Sequence, residues 1–388
     1  MDDEPNVLQG IKRATRNMRD VWAVSFVESG DAALAALAEQ TFDVVVSDMR
    51  MPGMDGAELL SHIRSLQPGA ARIMLSGYAE EEALFRSTRA AHRFLRKPCN
   101  VEELKQTIED IRACRAMVAP EIIRDLVGRV DQLPVLGDVY LELTEAIERD
   151  TSDAESLGRI VSKDMALTAE LLRLVNSAFF GLSRRVESVA QAIGLLGFDV
   201  VRAIVVGLAL FSSDDHDAVD VSALAKRSQL TALLCRRVVQ LEGGTPSECG
   251  NAYLAGILHQ IGALVLANLP GTEPAEIRAV LDTNDPTIER LELGADRFLV
   301  AAYLLGLWAF APAIVEAIGS LASQPAPEQE PDLLTRSLRV ATDVLRDDGA
   351  IDRLLTGDQG DIDAAIETAA DELDHRLQRK APAPVEAA

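Results

Sequence analysis

Hydrophobic and polar positions follow two different rhythms along this chain, and the change comes near residue 115. Before it, short apolar runs alternate with segments whose apolar residues have helical spacing. The apolar runs predict buried strands over residues 21–27, 42–48, 72–76 and 92–96. The segments 30–40, 56–66 and 80–91 predict helices between them. Strands and helices that alternate at this interval predict an α/β domain with helices on both faces of a parallel sheet.

Beyond residue 115 only the helical rhythm continues, in long amphipathic patterns whose ends carry Gly, Pro, Asn and Asp. This part of the chain predicts an all-α domain. Its first helix is expected to run on from the α/β domain as far as Pro120, which makes the connection stiff. The stretch SQPAPEQEP then marks a break, followed by an acidic helical extension with a disordered tail of roughly ten residues. The predicted domains are therefore 1–115, 116–325 and 326–388.

Composition narrows the classes of protein to consider. The chain has 388 residues, 48% of them hydrophobic and 26% charged, which is typical of a soluble globular protein with more than one domain. Its net charge of −23, without a long Lys/Arg cluster, argues against a nucleic-acid-binding surface. The spacing of the four cysteines is typical neither of metal ligands nor of a disulfide framework. The first residues do not resemble a signal peptide, and no uninterrupted apolar run is long enough to span a membrane. We expect a reduced, cytoplasmic protein without membrane insertion.

Polar residues lie where the predicted strands end. Asp2 and Asp3 open the chain, Asp48 and Ser76 end two strands, and Lys97 follows the last strand. In an open parallel sheet, ligands bind beyond the carboxyl ends of the strands. Converging carboxylates there predict a Mg²⁺ site, because Mg²⁺ prefers hard oxygen ligands. A carboxylate beside Mg²⁺ and a Lys ammonium can act as a nucleophile toward phosphorus.

The stretches DDEP, SDMRMPGMDG, LSG and FLRKP resemble the receiver domain of two-component response regulators, over residues 1 to about 115. The resemblance implies a flavodoxin-like, doubly wound parallel sheet. It implies that Asp48 accepts a phosphoryl group from a sensor histidine kinase. It also implies a Mg²⁺ ion held by Asp3, Asp48 and the backbone carbonyl of Arg50, with Asp2 assisting through water.

Three further residues match the receiver pattern, and one feature departs from it. Ser76 and Phe94 match the hydroxyl and aromatic switch positions, and Lys97 matches the phosphate-binding lysine. A receiver has an apolar strand of about five residues before its acidic pair, whereas here Met1 comes directly before Asp2. Loss of that central strand opens the core of the sheet and leaves backbone groups unpaired. We therefore expect the true start to lie upstream of Met1; a receiver that lacks the strand puts phosphorylation in doubt.

The helical part resembles the HDOD domain, a relative of the metal-dependent HD phosphohydrolases, over residues 125–325. The stretches that carry the resemblance are LPVLGDVYLEL, IVSKDMALTAELLRLVNSAFFGL, SVAQAIGLLGFDVVRAIVV and AYLAGILHQIGALVL. The resemblance implies a signalling adaptor that acts through a partner protein.

The residues at the HD position predict that metal chemistry has been lost. A catalytic HD site uses several His and an Asp, but here His259 is followed by Gln260. His216 lies in the polar loop SSDDHDAVD, and Arg227 and Ser228 occupy the expected place of an earlier His ligand. A single imidazole does not hold a catalytic metal. We expect His259 to be a buried residue with a structural hydrogen bond, and no catalytic residue in this domain.

Three other features have more ordinary interpretations than functional ones. Asn176 and Ser177 are expected to end a helix rather than contact a partner. The loop around His216 is expected to be solvated rather than to bind a cation. Trp308 and Phe310 are expected to belong to the core rather than to form a ligand platform.

The sequence thus predicts a phosphorylation-dependent response regulator whose receiver controls a non-catalytic HDOD output domain. The alternative is a degenerate HD-type phosphohydrolase acting on a cyclic dinucleotide. A DNA-binding regulator would need a basic recognition helix, which we do not find. A phosphate sink whose helical domain only forms a homodimer is also left open. The cognate kinase, the downstream partner, the oligomeric state and the direction of the switch cannot be read from the residues.

Overall fold

The computed structural model describes most of the chain in residues 1–76, 90–98, 100–118, 120–130, 139, 142–143, 146, 153–176, 186–196, 218–323 and 331–345. The chain divides into two compact units. The first comprises Met1–Leu133, Glu170–Val186 and Tyr303–Phe310. The second comprises Pro134–Ala169, Glu187–Ala302 and Ala311–Ala388.

A parallel sheet forms the centre of the first unit. Its strands are β1 (Val44–Asp48), β2 (Ala71–Ser76) and β3 (Arg93–Arg96), hydrogen-bonded in the order β1-β2-β3. β2 is almost wholly buried, as expected for a parallel strand covered on both faces. The predicted α/β class and the strands within 42–48, 72–76 and 92–96 are confirmed.

Helices of the first unit follow the sequence pattern closely. They are α1 (Pro5–Ala14), α2 (Gly30–Glu39), α3 (Gly56–Leu66), α4 (Val101–Met117) and α5 (Glu121–Gly128). Ser29 caps α2 and Asp55 caps α3, each accepting a hydrogen bond from a backbone N–H in the first turn. α4 ends ahead of Pro120, as predicted. The helix predicted over residues 80–91 lies outside the described residues except for its last two positions.

The strand predicted over residues 21–27 is wrong. This segment has no regular secondary structure and joins no ladder of the described sheet, and Val21 and Val24 are 57% and 46% exposed. Apolar composition favours a strand only if a neighbour offers backbone groups to pair with. Among the described residues, Val27 accepts one backbone hydrogen bond, from Asp2 N at 3.4 Å, and the segment forms no strand pairing.

All regular structure described after residue 130 is helical, which confirms the predicted all-α part. The helices are α6 (Ala154–Val161), α7 (Met165–Val175), α8 (Val189–Leu196), α9 (Val221–Leu241), α10 (Pro246–Leu258), α11 (Ile261–Leu266), α12 (Pro274–Leu281), α13 (Pro286–Leu293), α14 (Arg297–Leu307), α15 (Pro312–Ser320) and α16 (Leu333–Val344). Of the predicted acidic extension, α16 is described and residues 346–388 are not.

Close backbone packing brings α11 against α14 in the second unit. A Cβ on Gly262 would lie 1.9 Å from the carbonyl oxygen of Arg297, so no residue with a side chain fits there without a shift. This contact places the start of α14 beside the His259–Gln260 pair that precedes α11. Among the described residues, the apolar stretch Pro246–Leu266, which comprises α10 and α11, has the length and composition of a membrane span, but 83% of its most apolar 18-residue window is buried inside the protein.

Candidate functional site

The first residues of the chain bring two carboxylates to the end of β1. The α-ammonium of Met1 donates to the carbonyl of Val46 at 2.9 Å, and Asp48 N donates to the carbonyl of Met1 at 3.0 Å. Met1 therefore pairs with β1 as one residue of a parallel strand would. This pairing places Asp2 and Asp3 beside Asp48, the last residue of β1.

The three carboxylates converge as the sequence predicts. Asp2, Asp3 and Asp48 each offer an oxygen, and these oxygens all lie within 4.8 Å of one another. Asp2 is 1% exposed, so its charge has to be neutralised by neighbouring groups. Three hard oxygen donors at this separation fit a Mg²⁺ ion.

The loop after β1 is fixed by a close backbone contact. Gly56 N donates to the carbonyl of Met49 at 2.8 Å, and a Cβ on Gly56 would lie 2.1 Å from the carbonyl oxygen of Asp48. The start of α3 is thereby packed against the backbone that carries Asp48. Arg50, predicted to offer its carbonyl to the metal, lies in this loop.

Lys97 connects the two buried carboxylates. It follows β3 and forms a cis peptide bond with Pro98. Its Nζ lies 2.6 Å from Asp48 Oδ1 and 2.8 Å from Asp2 Oδ2. Burial raises the pKa of Asp48, although the Lys97 ammonium opposes the shift. Burial also disfavours the charged form of Lys97, but its hydrogen bonds to Asp2 and Asp48 outweigh this and raise its pKa.

The two predicted switch residues lie on neighbouring strands. Ser76 ends β2 and is paired in backbone register with Arg96 of β3. Its side chain lies outside what the structure describes. Phe94 lies in β3 and is 8% exposed.

Sequence reasoning missed a set of buried arginines in the first unit. Arg93 of β3 donates to the carbonyls of Gly306 and Leu307, the latter at 3.2 Å. Arg173 donates to the carbonyl of Ala91 at 2.6 Å, and its guanidinium lies 4.6 Å from the centre of the Trp308 ring. The basic residues of the predicted strand HRFLR could have indicated these contacts, because an arginine in a buried strand needs hydrogen-bond acceptors nearby.

The His259–Gln260 pair lies in a buried hydrogen-bonded network of the second unit. His259 is 1% exposed, its Nδ1 lies 2.6 Å from the carbonyl of Gly256, and its Nε2 lies 3.0 Å from Nε2 of Gln260. A carbonyl accepts and an amide nitrogen donates, so the ring carries its proton on Nδ1 and accepts at Nε2. Burial lowers the pKa of His259 to about 4.

A charged pair completes this network. The guanidinium of Arg297 donates to Oε1 of Gln260 at 3.0 Å, to Oδ1 of Asn284 at 3.2 Å and to the carbonyl of Leu281. It also forms a buried ion pair with Glu289, with Nε donating to Oε1 at 2.7 Å. Burial raises the pKa of Glu289, and the neighbouring Arg297 opposes that shift. The amide of Gln260 thus faces a histidine nitrogen on one side and a guanidinium on the other.

The remaining sequence candidates are placed as follows. Trp308 is 2% exposed, in agreement with a core position. Asn176 directly follows α7 and makes two hydrogen bonds to the backbone of Val186, at 2.7 and 3.0 Å. Ser177 and His216 lie outside the described residues.

Comparison with known proteins identifies both parts of the chain. The response regulator receiver domain model matches residues 1–109, and the HDOD domain model matches residues 133–323. The crystal structure of the MmoQ response regulator from Methylococcus capsulatus str. Bath is similar, with 25% identity and a TM-score of 0.50, over 64% of this chain and 98% of that one.

Two relatives match different lengths of the chain. An uncharacterized protein of Treponema pallidum (strain Nichols) is 27% identical over 280 residues, which is 66% of this chain and 51% of that protein. This chain therefore spans about half the length of that relative. The probable transcriptional regulatory protein NarL of Mycobacterium tuberculosis (strain ATCC 25618 / H37Rv) is 27% identical over 197 residues, 49% of this chain and 90% of that protein. With a receiver domain at the N-terminus and an HDOD domain at the C-terminus, the chain belongs to the response regulators of two-component signal transduction.

Proposed function

We propose that phosphorylation of Asp48 controls a non-catalytic HDOD output domain, and that the protein works in the cytoplasm between a sensor histidine kinase and a downstream signalling protein. The observation that carries this proposal is the position of Lys97. Its ammonium lies within hydrogen-bonding distance of both Asp48 and Asp2, two of the three converging carboxylates. A phosphoryl group on Asp48 would find a cation already in place.

The proposed chemistry uses the residues at the end of the sheet. A carboxylate oxygen of Asp48 attacks the phosphorus of a phosphohistidine, the P–N bond breaks, and the imidazole leaves with its electron pair. Mg²⁺, held by Asp3, Asp48 and the Arg50 carbonyl with Asp2 acting through water, would neutralise phosphoryl oxygens. Lys97 and the Ser76 hydroxyl would contact the phosphoryl oxygens that remain.

The route to the output is proposed to run along β3. Lys97 follows this strand directly, and Arg93 of the same strand binds the carbonyls of Gly306 and Leu307, which lie in the HDOD match. A new phosphoryl group on Asp48 gives Lys97 and Ser76 a new partner, and the side chain of Phe94, which is already buried, changes its rotamer in response. Any movement of β3 is then transmitted to residues 303–310 through the Arg93 guanidinium.

The HDOD domain is proposed to bind a partner rather than to catalyse a reaction. Both ring nitrogens of His259 have hydrogen-bond partners, and the Gln260 amide binds divalent metals weakly compared with a carboxylate. Arg297 brings a fixed positive charge to within 3.0 Å of Gln260. A dication next to this guanidinium would be repelled, which disfavours the alternative of a cyclic-dinucleotide phosphohydrolase.

The receiver part of the proposal is tested by incubating the full chain with acetyl phosphate and MgCl₂. We expect incorporation of one acid-labile phosphoryl group per chain, abolished by Asp48→Asn and by removal of Mg²⁺ with EDTA. Asp43→Asn is the matched control, because Asp43 is an exposed carboxylate just ahead of β1. Equal labelling of the Asp48→Asn variant would contradict the assignment.

The output part is tested by the metal content of the purified full chain in the absence of added Mg²⁺. We expect no stoichiometric transition metal and no hydrolysis of cyclic dinucleotides in the presence of Mn²⁺. One bound metal per chain that is lost in His259→Asn would overturn the non-catalytic assignment and favour the phosphohydrolase.

A further inference from the structure

In the second unit, α9 exposes apolar residues on the side that faces away from α10 and α16. On its inner side, a Cβ on Gly256 of α10 would lie 2.4 Å from the Cα of Ala232. Cys235 is also on the inner side, where its Sγ donates to a carbonyl of α16 at 3.7 Å. On the outer side, Leu233 is 56% exposed and Leu241 is 46% exposed. α9 therefore has a buried apolar side and a second, exposed one.

The exposed leucines belong to a continuous row of residues, here called the α9 stripe. It consists of Lys226, Leu230, Leu233, Arg237 and Leu241. Successive members are three or four positions apart, so all of them lie on one side of a helix with about 3.6 residues per turn. The charged residues of α9 are all basic, namely Lys226, Arg227, Arg236 and Arg237. The stripe is thus an apolar and basic surface on a chain with a net charge of −23, and it fits an acidic amphipathic helix.

A segment further along the same chain has the matching sequence pattern. Its apolar residues repeat the spacing of the α9 stripe position by position, and they are Ile362, Ile366, Ala369, Leu373 and Leu377. Residues 361–377 contain six carboxylates and one arginine. On a helix, Asp363 and Asp374 would lie about 16 Å apart, and Lys226 and Arg236 of α9 are about 15 Å apart. Carboxylates at both ends of the segment can therefore face basic residues at both ends of the stripe.

The end of α16 brings this segment within reach of the α9 stripe. Arg227 of α9 donates to the carbonyl of Leu345 at 3.0 Å, so the last described residue lies against α9 itself. Residues 346–360 connect Leu345 to the acidic segment and span at most about 50 Å when extended. Since α9 is about 31 Å long, the whole stripe is accessible. A connection of this length also gives the segment a high effective concentration at the stripe.

We propose that residues 361–377 form an amphipathic helix that docks on the α9 stripe of the same chain. Its apolar side packs against Leu230, Leu233 and Leu241, and its carboxylates face the basic residues of α9. A helix of this length is marginal in water by itself, so it forms on docking. The stripe lies within the HDOD match, and the docked segment occupies a surface that other proteins would otherwise contact.

The test compares amide hydrogen exchange of residues 361–377 in the full chain and in Leu233→Glu. We expect exchange to be slower in wild type by about 10-fold or more, because a carboxylate at this position repels the acidic segment and removes its central apolar contact. Leu291→Glu is the matched control, since Leu291 is 76% exposed on α13, and it should keep the protection of wild type. Leu373→Glu should lose the protection without altering any described helix. Equal exchange in wild type and both stripe-contact variants would refute the proposal.

A charge exchange distinguishes docking from a general loss of stability. Lys226→Glu/Arg236→Glu and Asp363→Lys/Asp374→Lys should each weaken the protection several-fold, and the combination of all four changes should restore most of it. No recovery in the combined variant would contradict the proposed pairing. Protection that disappears on dilution would overturn docking within one chain and assign the stripe to the segment of a second copy.

Discussion

At the scale of single residues, the most informative feature is the buried ion pair of Glu289 and Arg297. Both side chains are nearly inaccessible to solvent, and the guanidinium also binds Gln260 and Asn284. A buried ion pair contributes little net stability compared with apolar residues, but loss of one partner leaves an uncompensated charge. We therefore expect the free energy of unfolding to fall when one partner of the pair is replaced, and to fall less when both partners are replaced.

Glu289→Gln is expected to lower the free energy of unfolding by about 3–5 kcal/mol, because Arg297 then remains charged and buried. The free energy of unfolding is measured by chemical denaturation, with circular dichroism as the signal. Glu292→Gln on the exposed side of α13 is the control and should change stability by less than about 0.5 kcal/mol. The double variant Glu289→Gln/Arg297→Met should recover much of the loss, and a double variant as unstable as the single one would contradict the explanation.

His259 gives the folded protein a defined dependence on pH. Burial lowers its pKa to about 4, with Arg297 and Arg227 acting in the same direction and the hydrogen bond to Gly256 opposing it. The unfolded chain binds a proton below pH ~6.5 that the folded chain does not accept until pH ~4. The folded state therefore loses stability as pH falls through this range, by up to ~3 kcal/mol from this residue.

The prediction is checked by the difference between wild type and His259→Asn. Asn keeps a donor for the Gly256 carbonyl but does not titrate. The free energy of unfolding should decline less steeply in the variant between pH 6.5 and 4, while the contribution of the buried His92 cancels in the difference. Parallel curves for the two proteins would show that His259 is not the group responsible.

The sequence predicted which residues converge at the candidate receiver site, but not what surrounds them. Asp2, Asp3, Asp48 and Lys97 were predictable because parallel strands place their carboxyl ends at one edge. The acceptors of Arg93 were not predictable, since they lie more than two hundred positions further along the chain. The ion pair of Arg297 was missed for a similar reason: nothing in the local pattern of α14 marks its first residue as buried.

At the scale of elements, close backbone contact explains where α3 begins. Gly56→Ala would place a Cβ 2.1 Å from the carbonyl oxygen of Asp48, so α3 and the end of β1 have to move apart. We expect a loss of at least about 2 kcal/mol in unfolding free energy and weaker Mg²⁺ binding, measured by denaturation and by Mg²⁺ titration. Gly10→Ala in α1 is the control, because its Cβ meets nothing within 4 Å, and it should be neutral or slightly stabilising.

A Gly56→Ala variant as stable as Gly10→Ala would show that α3 adjusts without strain.

The contrast between these two glycines also shows which structural features an apolar sequence pattern can predict and which it cannot. The apolar period predicted α3 within a residue of its observed ends, but it does not distinguish a glycine in close contact from one in open space. The same limit applies to the 21–27 segment, where composition indicates a strand but the described sheet does not pair with it.

At the scale of the whole molecule, the proposed control depends on whether β3 transmits a change to residues 303–310. Arg93→Ala removes the hydrogen bonds from β3 to the carbonyls of Gly306 and Leu307. In wild type, we expect phosphorylation to alter hydrogen exchange in residues 303–310. In Arg93→Ala, we expect Asp48 to be phosphorylated as before but the change in exchange to fall several-fold.

Arg112→Ala serves as the matched control for this experiment. Arg112 is a partly exposed arginine of α4 that pairs with Glu109 on the same helix. The Arg112→Ala variant should show the same phosphorylation-dependent change in hydrogen exchange of residues 303–310 as wild type. A full response in Arg93→Ala would show that the signal takes another route.

The guanidinium of Arg297 has a consequence for how the HDOD part is made in the cell. The positive charge that neutralises Glu289 is synthesised as part of the chain and cannot dissociate from it. This network therefore needs no loading step after translation, and its integrity does not vary with the supply of free metal ions. A chelator that inactivates a loaded phosphohydrolase would leave it intact. Under the proposed control, an output domain built in this way would follow the phosphorylation of Asp48 without a metal requirement of its own.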